Sequence, residues 1–272
     1  AGSGVGGAWY WNRYPGCRAD LPIIEYSYSF SDELQQEWDW SERYATQPEL
    51  LRYVNHVADR FDLRKDIRFE TRVTAAHYDE ENAVWTVKTD KGDSLSSRFC
   101  VMATGCLSSA NMPDIPGRDD FRGEVYHTGH WPHEAVDFTG KTVGVIGTGS
   151  SAIQSIPLIA EQAGHLHVFQ RTPSYAVPAH NQPLDEDYRS AVKADYPARR
   201  EAAHQTRSGM LFPVNPDNAL EVSEEERHQI YDERWANGGL AFLGAFNDLL
   251  TDKKANDTAA DYIRAKISDI VD

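Results

Sequence analysis

Lys141-Thr-Val-Gly-Val-Ile146-Gly147-Thr-Gly149-Ser-Ser-Ala152 is the stretch that decides the fold. Thr142–Ile146 reads as a short buried strand. It opens into Gly147-Thr-Gly149-Ser-Ser-Ala152 and then a helix to about residue 163. His165–Gln170 reads as a second strand, so 141–172 forms a β-α-β unit. In such a unit the first glycine lets the chain turn sharply out of the strand. The second lets backbone approach a pyrophosphate, and a small third residue lets the helix sit close to the sheet. The helix N-terminus offers N–H groups and a positive dipole end to the phosphates. A lone G-x-G-x-x-A is weak evidence, but a strand before it and a helix after it are the context that makes it a dinucleotide fingerprint. The alternative is a tight strand–helix turn with no ligand.

The end of the second strand selects the nucleotide. NAD sites place Asp or Glu there, on the ribose hydroxyl, whereas this chain has Gln170-Arg171-Thr172. A carboxylate would repel a 2′-phosphate. Arg171 can bind one by charge-assisted hydrogen bonds, with the Thr172 hydroxyl as a second donor, so NADP is the expected nucleotide. The alternative for Arg171 is a surface arginine that happens to follow a strand.

Working outward, residues 46–61 read as a helix. Thr46-Gln-Pro-Glu49 fits a capping box, and Leu50, Leu51, Val54, Val57, Ala58 and Phe61 recur at helical spacing. Ile67–Val73, Val84–Thr89 and Phe99–Met102 read as strands, with a turn at Asp90-Lys-Gly92. Cys100 lies in the last of these apolar runs and is expected to be buried. The Pro-rich segment 112–117 is a candidate boundary. From about 181 the chain turns helical and charged, with a capping box at Ser223-Glu-Glu-Glu226, a stop at Gly238-Gly239 and a last helix over Ala259–Val271.

The 272 residues are 40% hydrophobic, with seven Trp, thirteen Tyr and a formal net charge of −15. The aromatic content is unlike a disordered chain. The acidity argues against a nucleic-acid binder and against adhesion to anionic membranes, because both need clustered Lys and Arg. Cys17, Cys100 and Cys106 form no C-x-x-C pair and no metal-ligand spacing, so no metal site and a reducing, cytoplasmic setting are expected. No apolar stretch is long enough to span a bilayer.

Two further constellations stand out. Phe121-x-Gly123-x-x-x-His127-x-x-x-Trp131-Pro132 has no explanation in periodicity, and a histidine among aromatics is more often a core residue than a catalyst. Gly6-Gly7-Ala8-Trp9-Tyr-Trp11-Asn-Arg13-Tyr14-Pro15-Gly16-Cys-Arg18-Ala-Asp20 sets glycines beside flat aromatics, which suits a large planar ligand or, equally, an aromatic core cluster.

These motifs together resemble the type I Baeyer–Villiger monooxygenases. Residues 121–132 match the family's F-x-G-x-x-x-H-x-x-x-W-P signature in full, and residues 6–20 match its second signature. The likeness is strongest to the phenylacetone and steroid monooxygenase branch. The resemblance implies an α/β fold of two Rossmann-like domains. Residues 1–110 would be part of the FAD domain, 111–180 the NADP core and 181–272 a helical insertion. It implies that Ala8, Trp9, Trp11, Asp20, Tyr26 and Val73 lie along FAD. Arg18 and Asp20 would face the nicotinamide side, and Gly147, Thr148, Gly149, Ser150 and Ser151, with Arg171 and Thr172, would hold NADPH. Asp20, His127 and Trp131 are the residues it implicates in catalysis, the last two by coupling cofactor movement to the reaction. The activity implied is insertion of one oxygen atom from O₂ next to a ketone carbonyl, giving an ester or lactone.

The same resemblance implies a piece of a longer protein. The first β-α-β unit, with its FAD pyrophosphate loop, would precede residue 1. The family's catalytic Arg, held by the carboxylate matching Asp20, would follow the position of Asp272. The 272 residues alone are therefore expected to be inactive. Two rival readings stay open: a flavin monooxygenase that oxidises nitrogen or sulfur atoms, and a non-catalytic NADP-binding module. A disulfide reductase is disfavoured by the lack of C-x-x-C.

Overall fold

The computed structural model describes residues 1–107, 109–172 and 175–271; Asp272, named above, lies outside them. In chain order the elements begin with helices Ala8–Trp11 (α1), Ile23–Tyr26 (α2), Asp32–Glu37 (α3) and Gln47–Arg60 (α4). Strands Val73–Asp79 (β1), Val84–Thr89 (β2) and Ser94–Ser97 (β3) follow. Then come strand Thr142–Ile146 (β4), helix Ser150–Ala160 (α5) and strand His165–Phe169 (β5). The rest is helical: Glu186–Ala194 (α6), Tyr196–His204 (α7), Glu224–Asn237 (α8) and Lys253–Ser268 (α9). The chain divides into two compact units, Ala1–Tyr14 with Gln47–Asp137, and Pro15–Thr46 with Phe138 onward.

In the first unit α4 buries Leu50, Tyr53, Val57 and Ala58, which recur at helical spacing on one face. Burying a large apolar side chain of this kind contributes about 1.5–3 kcal/mol. The helix is followed by a turn in which Asp62 takes a left-handed conformation (φ 50°). The sheet is antiparallel in the order β1-β2-β3. Its first turn is built on Asp79, whose carboxylate accepts from the N–H groups of Glu81 (3.0 Å) and Asn82 (3.1 Å). Tyr78 and Trp85 face each other across the ladder with ring centroids 5.2 Å apart. The second turn falls at Asp90-Lys-Gly92 as expected, closed by Gly92 N–H to Thr89 C=O at 3.2 Å.

Three expectations for this unit are corrected. The first strand begins at Val73 rather than ending there, because Glu70 adopts φ 51° and its N–H bonds to the Gly2 carbonyl at 2.9 Å. Phe99–Met102 is not a strand. The ladder ends where Ser97 pairs with Trp85, and the Ser97 hydroxyl then turns onto the Phe99 carbonyl at 2.5 Å. Phe99 and Val101 are left 81% and 87% exposed, and Cys100 is half-buried rather than buried.

In the second unit β4 and β5 pair in parallel from Thr142 opposite His165 to Ile146 opposite Phe169, with α5 as the crossover. The β-α-β reading is matched, but β4 is not a buried strand. Burial alternates along it and Ile146 is 69% exposed, while α5 packs against both strands.

The segment 41–46 runs between two other extended pieces. On one side Ala19 N–H bonds to Ala45 C=O and Ile23 N–H to Arg43 C=O, both at 2.9 Å. On the other, Arg43 N–H bonds to Gln182 C=O and Leu184 N–H to Ser41 C=O, both at 3.0 Å. The helical part packs Tyr231, Phe242, Phe246, Leu249, Tyr262 and Ile263 into one core cluster. Ser223 caps α8 by accepting from Glu226 N–H at 3.2 Å, and Gly238 (φ 71°) ends it, as expected. Helix α9 starts six residues before the expected Ala259, because the Asp252 carboxylate accepts from the N–H groups of Lys254 (2.7 Å) and Ala255 (3.0 Å).

Candidate functional site

The turn between β4 and α5 is the most defined candidate site. Gly147 leaves the strand at φ 101°, a conformation that L side chains rarely adopt, and its N–H bonds to the Phe169 carbonyl at 2.9 Å. Gly149 is the N-cap of α5, and no side chain caps the helix. A Cβ built at either glycine would meet nothing within 4 Å. The first N–H groups of α5 have no intrahelical carbonyl to bond to, which makes a helix start of this kind suited to an anion. Thr148 is held from the second strand: the Gln170 side chain donates to its hydroxyl oxygen at 2.8 Å. Ser150 is exposed and Ser151 half-buried, while Arg171 and Thr172 are exposed just after β5. No carboxylate occupies the end of β5. The donor set, neutral N–H and hydroxyl groups with one guanidinium, fits a phosphorylated dinucleotide.

Arg18 and Asp20 belong to the same unit and meet α5 through one side chain. The Gln154 amide nitrogen donates to the Arg18 carbonyl (3.2 Å) and to the Asp20 carboxylate (2.5 Å), and its oxygen accepts from Arg18 N–H (3.2 Å). Gly16, with φ 78°, passes so close to α5 that a Cβ would lie 2.2 Å from the Gln154 carbonyl oxygen. The Arg18 guanidinium lies 3.7 Å from Glu42, whose carboxylate accepts from the Asn181 amide at 2.5 Å. Asp20 is exposed, and Tyr26, at the end of α2, is 44% exposed. Gln154 and Glu42 were not among the residues singled out from sequence. Their partners are remote along the chain, 134 residues away for Gln154 and Asp20, so no local motif marks them.

In the first unit Ala8, Trp9 and Trp11 form α1. Its single turn is tied to α4 by the buried Gln47, whose amide donates to the Trp9 carbonyl at 2.5 Å. Tyr10 packs edge-on to Trp11 (4.9 Å between centroids) and to His133 (5.4 Å). A hollow of about 340 Å³ is bordered by Gly4, Gly6, Gly7, Arg68, Phe69 and Glu70 among others. Val73, the first residue of β1, is 58% exposed. His127 is half-buried, and its Nδ1 accepts from Gly129 N–H at 3.0 Å. That bond fixes the ring's orientation. Trp131 packs on Tyr126 with ring centroids 5.4 Å apart. Among the described residues no cluster of three or more His, Cys, Asp or Glu could hold a metal ion.

This arrangement has known counterparts. The model of the pyridine nucleotide-disulphide oxidoreductase family matches residues 22–232. The 2-oxo-Δ3-4,5,5-trimethylcyclopentenylacetyl-CoA monooxygenase of Pseudomonas putida is 44% identical over 98% of the chain and 50% of its own length. A phenazine N-monooxygenase of Lysobacter antibioticus is 43% identical over 99% of the chain and 50% of its own length. The solved structure of an oxidised steroid monooxygenase bound to NADP superposes with a TM-score of 0.94 at 60% identity, covering all of this chain and 52% of that one. The chain belongs to the pyridine nucleotide-disulphide oxidoreductase family, in its type I Baeyer–Villiger monooxygenase branch. Its fold class is the α/β, Rossmann-type one expected from sequence. The chain spans about half the length of the curated relatives it matches.

Proposed function

We propose that this chain carries the NADPH-binding turn and part of the flavin-binding surface of a monooxygenase. The enzyme would insert one oxygen atom from O₂ beside a ketone carbonyl. The observation that carries this reading is the β4–α5 turn, with its uncapped helix start and the Arg171-Thr172 pair in place of a carboxylate. Gly147, Thr148, Gly149, Ser150 and Ser151 hold the pyrophosphate, Arg171 and Thr172 the 2′-phosphate, and Arg18 faces the nicotinamide. In the first unit Ala8, Trp9, Trp11 and Val73 are assigned to FAD; in the second, Asp20 and Tyr26. FAD, when bound, accepts hydride from NADPH and activates O₂, and the protein contributes orientation and charge. Asp20 supplies a carboxylate to hold a cation near the reacting centre. His127, fixed by its bond to Gly129, and Trp131 take part in coupling cofactor position to the reaction.

Among the described residues no helix is long and apolar enough to cross a membrane. The acidic composition and three cysteine thiols support a cytoplasmic setting. The test is NADPH consumption by the intact protein with FAD and a cyclic ketone. Ketone-dependent consumption with an ester or lactone product supports the reading, and consumption that ignores the ketone opposes it. A second reading, N-oxidation, is favoured by the 43% identity to the phenazine N-monooxygenase. Replacing the ketone by an aromatic N-heterocycle and finding an N-oxide would select it.

A further inference from the structure

The geometry points to Gln154 as a positioning residue that holds Arg18 and Asp20 on the dinucleotide-binding helix. This rests on the assignment of α5 to NADPH and of Arg18 and Asp20 to the reaction. Helix α5 presents its open N-terminus at Ser150 and, one turn later, Gln154. The single amide of Gln154 takes both backbone groups of Arg18 and one oxygen of Asp20. Gly16 makes this possible: its lack of a side chain lets the 16–20 segment approach the helix backbone. The Arg18 side chain is held from the other direction by Glu42, itself tied to Asn181.

Glutamine is the side chain this role requires. It offers a donor and an acceptor on one planar group, so it can serve a carbonyl, a carboxylate and an N–H together. Glutamate at the same place would retain the acceptor for Arg18 N–H but set a second negative charge against Asp20. Methionine would keep the shape and lose every bond. Any shift of the phosphate-bearing helix is thereby transmitted to the two charged side chains.

The test compares Gln154→Met and Gln154→Glu with the parent in the intact protein. Hydrogen–deuterium exchange at the Arg18 amide, without nucleotide, reads the clamp itself. NADP⁺ affinity and the separation of kcat from KM for NADPH read its consequence. Gln154→Met is expected to lose Arg18 amide protection and to lower kcat about tenfold, the scale of one lost hydrogen bond to a charged group. Its unfolding midpoint is expected to fall modestly, with the fold kept. Gln154→Glu is expected to keep the amide protection and still lose kcat, a split that a merely space-filling residue would not produce. A Gln154→Met variant with parental exchange and parental kcat would overturn the proposal. A parent that protects Arg18 but binds no NADP⁺ would overturn the dinucleotide assignment, and with it the catalytic part of the role of Gln154, leaving the clamp as structure alone.

Discussion

Gly16 and Gln154 are packed backbone to backbone: a Cβ on Gly16 would lie 2.2 Å from the Gln154 carbonyl oxygen, on a residue that already holds φ 78°. Gly16→Ala is therefore expected to be destabilising twice over, by about 1–3 kcal/mol for the left-handed backbone and further for the forced separation. Gly140→Ala is the control, since Gly140 has φ 69° but open space where a Cβ would go. Thermal unfolding of the two variants should show Gly16→Ala as clearly the less stable. Equal midpoints would mean that the 16–20 segment is not held against α5.

Arg171 follows β5 where an NAD-specific chain would carry an acid. Arg171→Ala is expected to weaken NADP⁺ binding about tenfold or more, the scale of one charge-assisted hydrogen bond. NAD⁺ binding, which has no 2′-phosphate to lose, should be little changed. Calorimetric titration with both nucleotides checks this.

Gln47 is buried and its amide is the tie from α4 to the Trp9 carbonyl. Gln47→Leu removes the donor and leaves that carbonyl without this partner, at a cost of about 1–3 kcal/mol. Loosening of α1 should appear as a change in tryptophan fluorescence and, in the intact protein, as weaker retention of FAD.

How much of this is legible in the sequence depends on whether the signal is local. The β4–α5–β5 unit can be read almost residue by residue, because β-branched residues, glycines and a following helix sit next to one another in Thr142–Ala160. The strand at Val73–Asp79 is misplaced by reading apolar runs. Its register is set across the ladder, by Tyr78 on Trp85 and by the turn that Asp79 nucleates. Phe99–Met102 has the composition of a strand, but a strand is made by pairing, and composition carries no information about a partner. The clamp by Gln154 is invisible for the same reason: a glutamine on a helix has no pattern until the segment 134 residues earlier is placed beside it.

Burial, and next the hydrogen bond its hydroxyl donates to Asp232 (2.6 Å), push the Tyr262 phenol from 10.0 up to about 12. A raised folded value means the folded chain keeps this proton where the unfolded chain has lost it. The contribution is thus fully present below pH 10 and is lost as pH rises toward about 12. Tyr262→Phe should lower stability at neutral pH by about 0.5–3 kcal/mol and make the alkaline fall in unfolding midpoint shallower. An unchanged alkaline slope would contradict this assignment.

The central claim is tested most directly by following labelled oxygen. The intact protein, with FAD, NADPH and a cyclic ketone, would be run under isotopically labelled O₂ and the products weighed by mass spectrometry. A lactone carrying one labelled oxygen, formed with NADPH and not with NADH, is the predicted result. Labelled hydrogen peroxide alone, with the ketone recovered unchanged, would contradict the account.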